Sequence, residues 1–431
     1  LTDHTMSMKK NMYGLCEDLF PINRSITGDG VRETLDIIKS YLPELQVTEV
    51  PSGTKCFDWE IPREWKIRDA YIIDPTGKKI ADFKKNNLHV VGYSVAVDQE
   101  MSLDELRPKL FSKPDLPDAI PYYTSYYKED WGFCISENEK KQLKEGNYKV
   151  YIDSELFDGS LTYGEIFLEG KTKKEVFLST YICHPSMANN ELSGPAVATF
   201  LAKYIHSLDN RRLSYRIIFV PETIGSIAYL SSNISEMKKN IIAGYQLTCV
   251  GDNNNFSFMP SRLDQTLSDR MARHVLDNLD IKYKEYDFLT RGSDERQYCY
   301  PGVDLPVSSI MRTKYAHYDE YHTSLDNLDF ISQEGLEGAY DVYKLIIDCL
   351  ESNLIYTNNT LCEPQLGKRG LYPNLSHHDV SFKIKNLMNF LAYCDGESDL
   401  LSIAEKIKCS IWDLDQILES LIQNEIISIH K

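Results

Sequence analysis

The sequence predicts a protein of the α/β class, with a mostly parallel sheet covered by helices on both faces. Between residues 162 and 352, strand-like and helix-like segments alternate, and this alternation is typical of a parallel sheet. The strand-like segments, such as IIFV at residues 217–220, are continuously apolar, as expected for strands that are buried on both faces. The predicted architecture is therefore a three-layer α/β/α core.

The elements of this core follow one another along the chain. Strands are predicted at residues 176–183, 216–220, 241–249 and 305–311, and helices at residues 193–208, 267–279 and 333–350. The first fifty residues add a helix over residues 31–42 and a short strand that ends near Pro51. In an open sheet of this kind, ligands bind at the carboxyl ends of the strands, so the polar residues just beyond those ends are the first candidates for a site.

Two further segments depart from the alternating pattern. Residues 56–153 contain short β-like runs, at 69–74, 88–97 and 148–152, separated by Gly, Pro and Asn. After a linker near residues 358–376, helical periods at 382–393, 400–407 and 411–424 precede the strand-like IISIH, which is the outline of a winged helix-turn-helix. We predict a main domain at residues 1–52 and 155–360, an inserted β-rich domain at 53–154, and a linker plus winged helix at 361–431.

Composition and charge restrict the cellular setting and the partners. The formal net charge is -17, so the average field of the protein repels nucleic acid. The ten cysteines occur singly, which favours reduced thiols in a cytosol. The N-terminal segment lacks the apolar stretch of a signal peptide, and the chain has no apolar run of membrane-spanning length. These features predict a cytoplasmic protein without a membrane partner.

Polar residues that could bind a metal follow the predicted strands. His184 comes directly after the strand at 176–183, and Glu191 lies at the other end of the same loop, just before the helix at 193–208. His322 lies in YHTSLDN, between the last strand and the last helix of the main domain. Catalytic zinc prefers three ligands of the imidazole and carboxylate type, so His184, Glu191 and His322 form a candidate zinc site. Glu191 has a structural alternative, as a first-turn acid that the helix dipole stabilises.

The strand at 216–220 ends in VPETIGS, which places Glu222 at the same sheet edge. A carboxylate beside zinc-activated water suits a general base, and a structural salt bridge is its alternative role. Cys183 stands next to His184, but neighbouring residues of a strand point to opposite faces. We therefore expect that Cys183 and His184 do not share a proton as a nucleophilic pair.

Several motifs together resemble a known family. HPSMANNELSG, VPETIGS, GYQLTCVGD, RGSDE and YHTSLDN occur in the order found in zinc aminopeptidases of the bacterial leucyl aminopeptidase and glutamate carboxypeptidase-like clan. FDWEIPREW, NNLHVVGYS and PYYTSYYKEDWGF extend the resemblance, over nearly the whole chain, to bacterial aminopeptidase-like domain proteins. This resemblance implies a phosphorylase/hydrolase-like α/β/α zinc-peptidase core with an inserted β domain and a C-terminal winged helix.

Three positions depart from the larger clan. Its two-zinc members have a bridging aspartate where this chain has Asn190, a second glutamate where it has Thr223, and an acidic ligand where it has Thr248. Because so few anionic ligands are left to neutralise two ions, we predict one zinc ion, held by His184, Glu191 and His322.

The residues predicted to face the substrate each have more than one possible role. Asp294 and Glu295 lie in a loop that resembles a substrate-facing loop of the clan, where they replace a missing ligand or bind the ammonium group of a peptide. The aromatic run at 122–127, followed by Trp131, either packs the inserted domain on the core or lines a substrate pocket. The full set of candidate substrate-binding residues is Ser293, Asp294, Glu295, Arg312 and Tyr321.

The C-terminal segment has an acidic balance, with five Lys or Arg against nine Asp or Glu from Ser376 onward. This charge disfavours DNA and favours a protein partner or a homo-oligomer contact through the winged helix. For the main domain, three functions stay open. They are a zinc-dependent aminopeptidase acting on a peptide or a small amide, a zinc-dependent deacylase or amidase acting on a small molecule or modified sugar, and an inactive regulatory protein.

Overall fold

The computed structural model describes residues 11–371 and 378–430. The strands in this part of the chain are β1 (Gln46–Pro51), β2 (Lys55–Cys56), β3 (Trp59–Glu60), β4 (Glu64–Ile73), β5 (Lys79–Ile80), β6 (Val97–Ser102), β7 (Leu110–Phe111), β8 (Phe133–Cys134), β9 (Asn147–Phe157), β10 (Ser160–Leu168), β11 (Glu175–Tyr181), β12 (Ser214–Val220), β13 (Ile241–Gln246), β14 (Ser257–Met259), β15 (Lys284–Glu285), β16 (Val307–Met311), β17 (Ile355–Asn358), β18 (Asp395–Asp399) and β19 (Ile427–Ile429).

The α-helices in the same residues are α1 (Met12–Leu19), α2 (Asp29–Tyr41), α3 (Leu103–Leu106), α4 (Glu137–Lys141), α5 (Ser193–His206), α6 (Ile224–Asn240), α7 (Leu267–Asn278), α8 (Glu295–Tyr298), α9 (Gln333–Ser352), α10 (His378–Tyr393), α11 (Leu400–Ile407) and α12 (Ile411–Gln423). A single turn of π-helix, Ala188–Leu192, leads into α5. None of the described helices combines the length and the apolar character needed to cross a bilayer.

The chain divides into two compact units, and the first contains residues 1–268 and 283–340. Its main feature is an eight-stranded sheet in the order β1-β10-β12-β11-β13-β16-β14-β15. The four inner strands, β12, β11, β13 and β16, are parallel, while β1, β10 and β14 join their neighbours in antiparallel fashion. This mixed, mostly parallel sheet with helices packed against it confirms the predicted fold class. The three domain boundaries given above stay a prediction.

The inner strands form where the sequence is continuously apolar. Every residue of β11 and of β12 is buried, because helices cover both faces of the sheet. On one face, α1 and α2 pack with α5. On the other, Ile227 and Tyr229 of α6 share a hydrophobic cluster with Phe177 and Ile218 of the sheet. The sheet is therefore the middle layer of a buried core that holds the strand ends in fixed positions.

A second sheet lies in the segment predicted to be β-rich. Its four strands run in the order β5-β4-β9-β6, and all neighbours are antiparallel. The continuous strand predicted at residues 88–97 is wrong, because a 3-10 turn, Asn87–His89, is followed only by isolated bridges at Val90 and Gly92, and β6 begins at Val97. The Asn86 side chain accepts a hydrogen bond from the Leu88 amide and turns the backbone there. Leu88 and Val90 are nevertheless buried. The apolar residues of this segment therefore indicated burial correctly but did not indicate a strand.

The second unit contains residues 269–282 and 341–431. Within it, α10, α11 and α12 accompany a three-stranded sheet in the order β18-β17-β19. Helix α11 has the predicted bounds and α12 ends one residue earlier than predicted, which agrees with the helical periods of the sequence. Ser410 caps α12 by accepting a hydrogen bond from the amide of Asp413. Residues 372–376 of the predicted linker lie outside the described residues, and the partner of this unit stays a prediction.

Gly194, at the start of α5, tests the close packing of helix and sheet. A Cβ atom at this position would lie 2.4 Å from Oγ1 of Thr180 and 2.5 Å from the carbonyl oxygen of Leu247. We expect Gly194→Ala to lower the free energy of unfolding by about 1–3 kcal/mol, since neither neighbour can move freely. Denaturant titration measures this, with Gly92→Ala as the control because its nearest neighbour is the side-chain Cγ2 of Thr124 at 3.3 Å. Equal losses in the two variants would contradict the prediction.

Candidate metal and catalytic site

The candidate residues meet at the carboxyl edge of the parallel strands. In the register of β11 and β12, Tyr181 pairs with Val220, so both strands end at the same level. His184 follows the end of β11 by three residues, and Glu222 follows the end of β12 by two. The Oε2 atom of Glu222 lies 3.7 Å from Nε2 of His184. The sheet register thus brings together two candidates that lie far apart in the chain.

His322 reaches the same place from a loop. Its backbone is left-handed, with φ of 56°, and its carbonyl oxygen accepts a hydrogen bond from the amide of Tyr122 at 2.8 Å. The ring centroids of His184 and His322 are 5.5 Å apart. The ring of Tyr122 meets both imidazoles edge-on, at 5.2 Å from His184 and 5.1 Å from His322. One residue of the predicted aromatic run, which belongs to the inserted segment, therefore contacts both imidazoles.

Both imidazoles are neutral at physiological pH. Burial lowers the pKa of His184 to about 3, and the guanidinium of Arg24 acts in the same direction. Burial also lowers the pKa of His322 to about 3, with a smaller contribution from His184. A neutral imidazole has a free lone pair, which is the form that binds a metal. The two rings are thus held in the protonation state that a metal site needs.

Glu191 lies on the inner side of His184. Its Oε2 atom is 2.9 Å from Nδ1 of His184, and its Oε1 atom is 3.2 Å from Nε of Arg24. Burial raises the pKa of Glu191 to about 8, while the charge of Arg24 opposes this rise. The π-helical turn that carries Glu191 is fixed by Asp326, whose Oδ1 and Oδ2 atoms accept the backbone amides of residues 189 and 190 at 2.6 and 3.0 Å.

Cys183 corrects one expectation from the sequence. Its Sγ atom lies 3.5 Å from Nδ1 of His184, so the argument that the two side chains point apart is wrong. Strand β11 ends at Tyr181, and beyond it the alternation of faces no longer holds. Burial raises the pKa of the Cys183 thiol well above its usual value, which disfavours a thiolate nucleophile.

Two different sets of ligand atoms therefore surround His184. Among the described residues, Cys183, His184 and Glu191 are a set of three whose ligand atoms all lie within 4.8 Å of one another. His322 does not belong to this set, so the structure does not gather the three predicted ligands equally tightly. The second set is made of Glu222, which faces Nε2 of His184, and of the ring of His322, which lies next to the ring of His184.

The turn that carries Glu222 is strained and firmly held. Thr223 has a left-handed backbone with φ of 66°, and its amide donates to Oδ1 of Asp294 at 2.7 Å. The hydroxyl of Ser226 donates to the same oxygen at 2.7 Å. Burial and the nearby charge of Asp294 raise the pKa of Glu222 to about 8. A buried carboxylate of this kind has the raised basicity that suits proton transfer.

The positions that depart from the clan form a neutral network. The hydroxyl of Tyr181 donates to Oδ1 of Asn190 at 2.8 Å and lies 2.6 Å from Oγ1 of Thr248. The Nδ2 atom of Asn190 is buried and finds no hydrogen-bond partner among the described residues. Asn190 and Thr248, two of the three positions that depart from the clan, are thus joined through the hydroxyl of Tyr181.

The predicted substrate-facing loop is buried. Ser293, Asp294 and Glu295 are each exposed by 1% or less. The Oε1 atom of Glu295 accepts hydrogen bonds from the amides of Gly292 and Ser293 and from the hydroxyl of Tyr315, each at 2.9 Å. Glu295 therefore shapes its own loop, while Asp294 supports the Glu222 turn. A direct contact of these residues with substrate stays a prediction.

The two remaining candidate substrate-binding residues, Tyr321 and Arg312, lie in different surroundings. Tyr321 stacks on the ring of His322 with a centroid distance of 3.9 Å, which places it beside the site. Arg312 donates to Oδ1 of Asn253 at 2.9 Å and lies over the ring of Phe256. Arg312 is thus largely buried in contacts of its own, away from the histidine pair.

Sequence reasoning missed two charged residues that hold the site. Arg24 precedes His184 by 160 positions and donates from Nε to its carbonyl oxygen at 2.9 Å. Nothing in the local pattern around Arg24 indicates this contact. Asp326 stands in the same YHTSLDN motif as His322, so the motif itself could have indicated it.

An aromatic cavity opens beside the Glu222 turn. It has a volume of 410 Å³, and its walls include Trp59, Tyr126, Tyr127 and Ile224. The hydroxyl of Tyr126 lies 3.0 Å from that of Tyr122, the residue that touches both imidazoles. The contacts of Tyr122 with both imidazoles support the packing interpretation of the aromatic run, while its role as the wall of a substrate pocket stays a prediction.

The first unit has the fold of zinc aminopeptidases. A zinc aminopeptidase from Bacillus subtilis matches 78% of this chain and 93% of its own, with a TM-score of 0.58 at 14% identity. A peptidase M28 precursor from Shewanella amazonensis matches 80% of this chain and 94% of its own, with a TM-score of 0.57 at 14% identity. At such identities the likeness concerns the fold alone.

Residues 13–353 match the family described as "Domain of unknown function (DUF4910)", and the chain belongs to it. Residues 354–429 match a winged helix-turn-helix family. A Clostridium acetobutylicum protein named "Putative polysaccharide biosynthesis protein with aminopeptidase-like domain" is 46% identical over 420 residues, which is 97% of this chain and 96% of that protein. A crystal structure of a "putative peptidase" from the same organism has a TM-score of 0.91 at 45% identity, over 97% of this chain and 96% of that one. The resemblance stated from the sequence is thereby confirmed.

Asp326 offers a test of how the π-helical turn is held. Both of its oxygens accept backbone amides, so Asp326→Asn must point its NH2 group at one of two N–H donors. We expect the variant to lose about 1–3 kcal/mol of unfolding free energy, since a buried donor is left unpaired. Denaturant titration measures the loss, and Asp329→Asn, an exposed neighbour in the same loop, is the control. A fully stable Asp326→Asn variant would show that the carboxylate does not hold the turn.

Proposed function

We propose that the protein is a zinc-dependent hydrolase of amide bonds, of the aminopeptidase type. The observation that carries this proposal is the meeting of His184, His322 and Glu222 at one edge of a sheet with the zinc aminopeptidase fold. Relatives at 45–46% identity that are named for an aminopeptidase-like domain and a peptidase support it. The same reaction class accounts for why two neutral imidazoles lie next to a basic carboxylate.

The residues present fit one zinc ion. Zn–N bonds are ~2.0–2.1 Å long, so two ligating nitrogens can lie up to about 4 Å apart, and rings with centroids at 5.5 Å can supply them. His184 and His322 would hold the ion, with Nε2 of His184 on the side of Glu222. Glu191, the third ligand predicted from the sequence, faces the other nitrogen of His184 at 2.9 Å. Bound there, zinc would supply the Lewis acidity that makes water a nucleophile near neutral pH. Asn190 and Thr248 are neutral, which supports one ion over two.

Glu222 would act as the general base. Its Oε2 atom would take the proton of the attacking water as the C–O bond forms, and would pass it to the nitrogen as the C–N bond breaks. The held turn at Thr223 supports this role, because it fixes the carboxylate at the sheet edge before substrate arrives. The neighbouring Tyr122 and Tyr321 rings would shield the ring of His322 from bulk solvent.

The substrate would be a peptide or a small amide with a bulky group. The 410 Å³ cavity beside Ile224 is lined by Trp59, Tyr126 and Tyr127 and also by Asp58 and Glu60. Its aromatic walls suit a large apolar or aromatic side chain. Exposed aromatic faces also suit the apolar face of a sugar ring. The name of the Clostridium relative, which refers to polysaccharide biosynthesis, favours a deacylase or amidase of a modified sugar as the second candidate.

The roles of zinc and Glu222 can be separated by one substitution. We expect Glu222→Gln to retain one equivalent of zinc per chain, as measured by elemental analysis, because the two imidazoles are untouched. Its turnover of chromogenic aminoacyl anilides should fall by about 100- to 10,000-fold, the usual contribution of a general base. Glu100→Gln, an exposed carboxamide substitution on β6, is the control and should turn over like the parent protein.

Two outcomes would contradict the proposal. Undiminished turnover by Glu222→Gln would remove Glu222 as the base, and turnover that survives full removal of metal by a chelator would remove zinc from the reaction. Two equivalents of zinc per chain would refute the single-ion site. N-acyl amino sugars tested beside the anilides distinguish the two candidate functions, since a deacylase should release the free amine from the sugar alone.

A further inference from the structure

The two nitrogens of His184 face two different carboxylates. Nδ1 lies 2.9 Å from Oε2 of Glu191, on the inner side of the site. Nε2 lies 3.7 Å from Oε2 of Glu222. The ring of His322, whose centroid is 5.5 Å from that of His184, does not belong to the inner set of ligand atoms that contains Glu191. A neutral imidazole carries one proton, so only one of these nitrogens can offer a lone pair to a metal. The partner of Nδ1 therefore decides which side of His184 is the metal side.

Glu191 lies against a buried positive charge. Its Oε1 atom is 3.2 Å from Nε of Arg24, and the side chains of both residues are fully buried. Arg24 is fixed in this position, because it donates to the carbonyl oxygens of Leu19 at 2.8 Å and of His184 at 2.9 Å. Like charges repel strongly in a buried environment, so a divalent ion between Cys183, His184 and Glu191 would be opposed by the guanidinium. The tight inner set of ligand atoms is thus a poor cation site.

The backbone fixes Glu191 independently of His184. The π-helical turn 188–192 is held by Asp326 through the amides of residues 189 and 190. The amide of Ala188 donates to the carbonyl oxygen of Asp326 at 2.8 Å. With the turn held at three points, the Glu191 carboxylate has a set position behind the imidazole. This is the arrangement of a group that orients a ligand and does not itself need to reach the metal.

We propose that Glu191 is a positioning residue and not a ligand. Its carboxylate accepts the proton of His184 on Nδ1, which leaves the lone pair of Nε2 directed to the side of Glu222 and His322. The guanidinium of Arg24, 3.2 Å from Glu191, favours the ionised form of this carboxylate and also donates to the backbone carbonyl oxygen of His184. This inference rests on the proposed metal site and removes Glu191 from the ligand set predicted from the sequence, which leaves the two histidines to meet the ion.

The test compares two buried carboxylates that are each paired with a buried arginine. Glu191→Gln removes the charge behind His184, and Glu175→Gln removes the partner of Arg216 at the opposite end of β11. The full-length protein is titrated with zinc in competition with a chromophoric chelator, and bound zinc is counted by elemental analysis. We expect Glu191→Gln to keep one equivalent of zinc while its dissociation constant rises about 10- to 100-fold. Glu175→Gln should keep the parent affinity, whatever stability it loses.

The same measurement can overturn the inference in two ways. Complete loss of zinc from Glu191→Gln would show that Glu191 is a ligand. A dissociation constant equal to that of the parent protein would show that Glu191 does not act on His184 at all. Neither result would affect the proposed hydrolase, whose zinc and Glu222 requirements are measured separately.

A measurement that does not depend on metal shows directly which ring nitrogen of His184 carries the proton. In metal-free protein labelled with 15N-histidine, the two ring nitrogens of His184 are identified by comparison with His184→Gln. We expect the proton on Nδ1 in the parent protein and a shifted or mixed tautomer in Glu191→Gln. A proton on Nε2 in the parent would overturn the inference even if zinc binds. If the parent binds no zinc but carries the proton on Nδ1, the proposed function fails and the positioning role of Glu191 stands.

Discussion

The parallel register of the inner strands is the constraint on which the site depends. Because β11 pairs with β12 up to Tyr181 and Val220, and with β13 up to Ser179 and Gln246, the chain leaves all three strands at one edge. Residues that are tens of positions apart therefore meet without any local sequence relation. Helices on both faces make every residue of β11 and β12 buried, so the strand ends cannot shift to accommodate a poor contact. The sheet thus fixes the distance between His184 and Glu222.

Burial gives the site its chemistry. Withdrawal from water favours the neutral form of every titratable group, which lowers the pKa of His184 and His322 and raises that of Glu222 and Glu191. For two of the buried carboxylates, a nearby positive charge or backbone N–H groups oppose this rise in pKa. Arg24 does so for Glu191, and the backbone amides of the π-helical turn do so for Asp326. As a result, the neutral imidazole of His184 lies within 4 Å of two carboxylates whose positions are fixed, those of Glu191 and Glu222.

The sequence predicted the fold well where apolar periodicity and burial coincide. The strand at 216–220, the helix at 400–407 and the site histidines at the sheet edge follow from patterns a few residues long. The prediction was wrong at 88–97, where an Asn86 cap turns a buried apolar run out of strand geometry. It was also wrong about Cys183, because β11 ends at Tyr181 and the rule of alternating faces no longer applies. Arg24 was missed, since its contact with His184 spans 160 residues and leaves no local trace.

The sequence by itself determined the class of fold, the family, and the residue types available for chemistry. These properties follow from hydrophobic periodicity, from turn chemistry and from motifs that are contiguous in the chain. Only the tertiary structure decided which carboxylate faces which nitrogen of His184, because that choice depends on a guanidinium, a π-helical turn and a loop brought together from distant parts of the chain. A list of ligand-type residues contains no directions, and the directions of lone pairs and protons are what distinguish a metal ligand from the group that orients it.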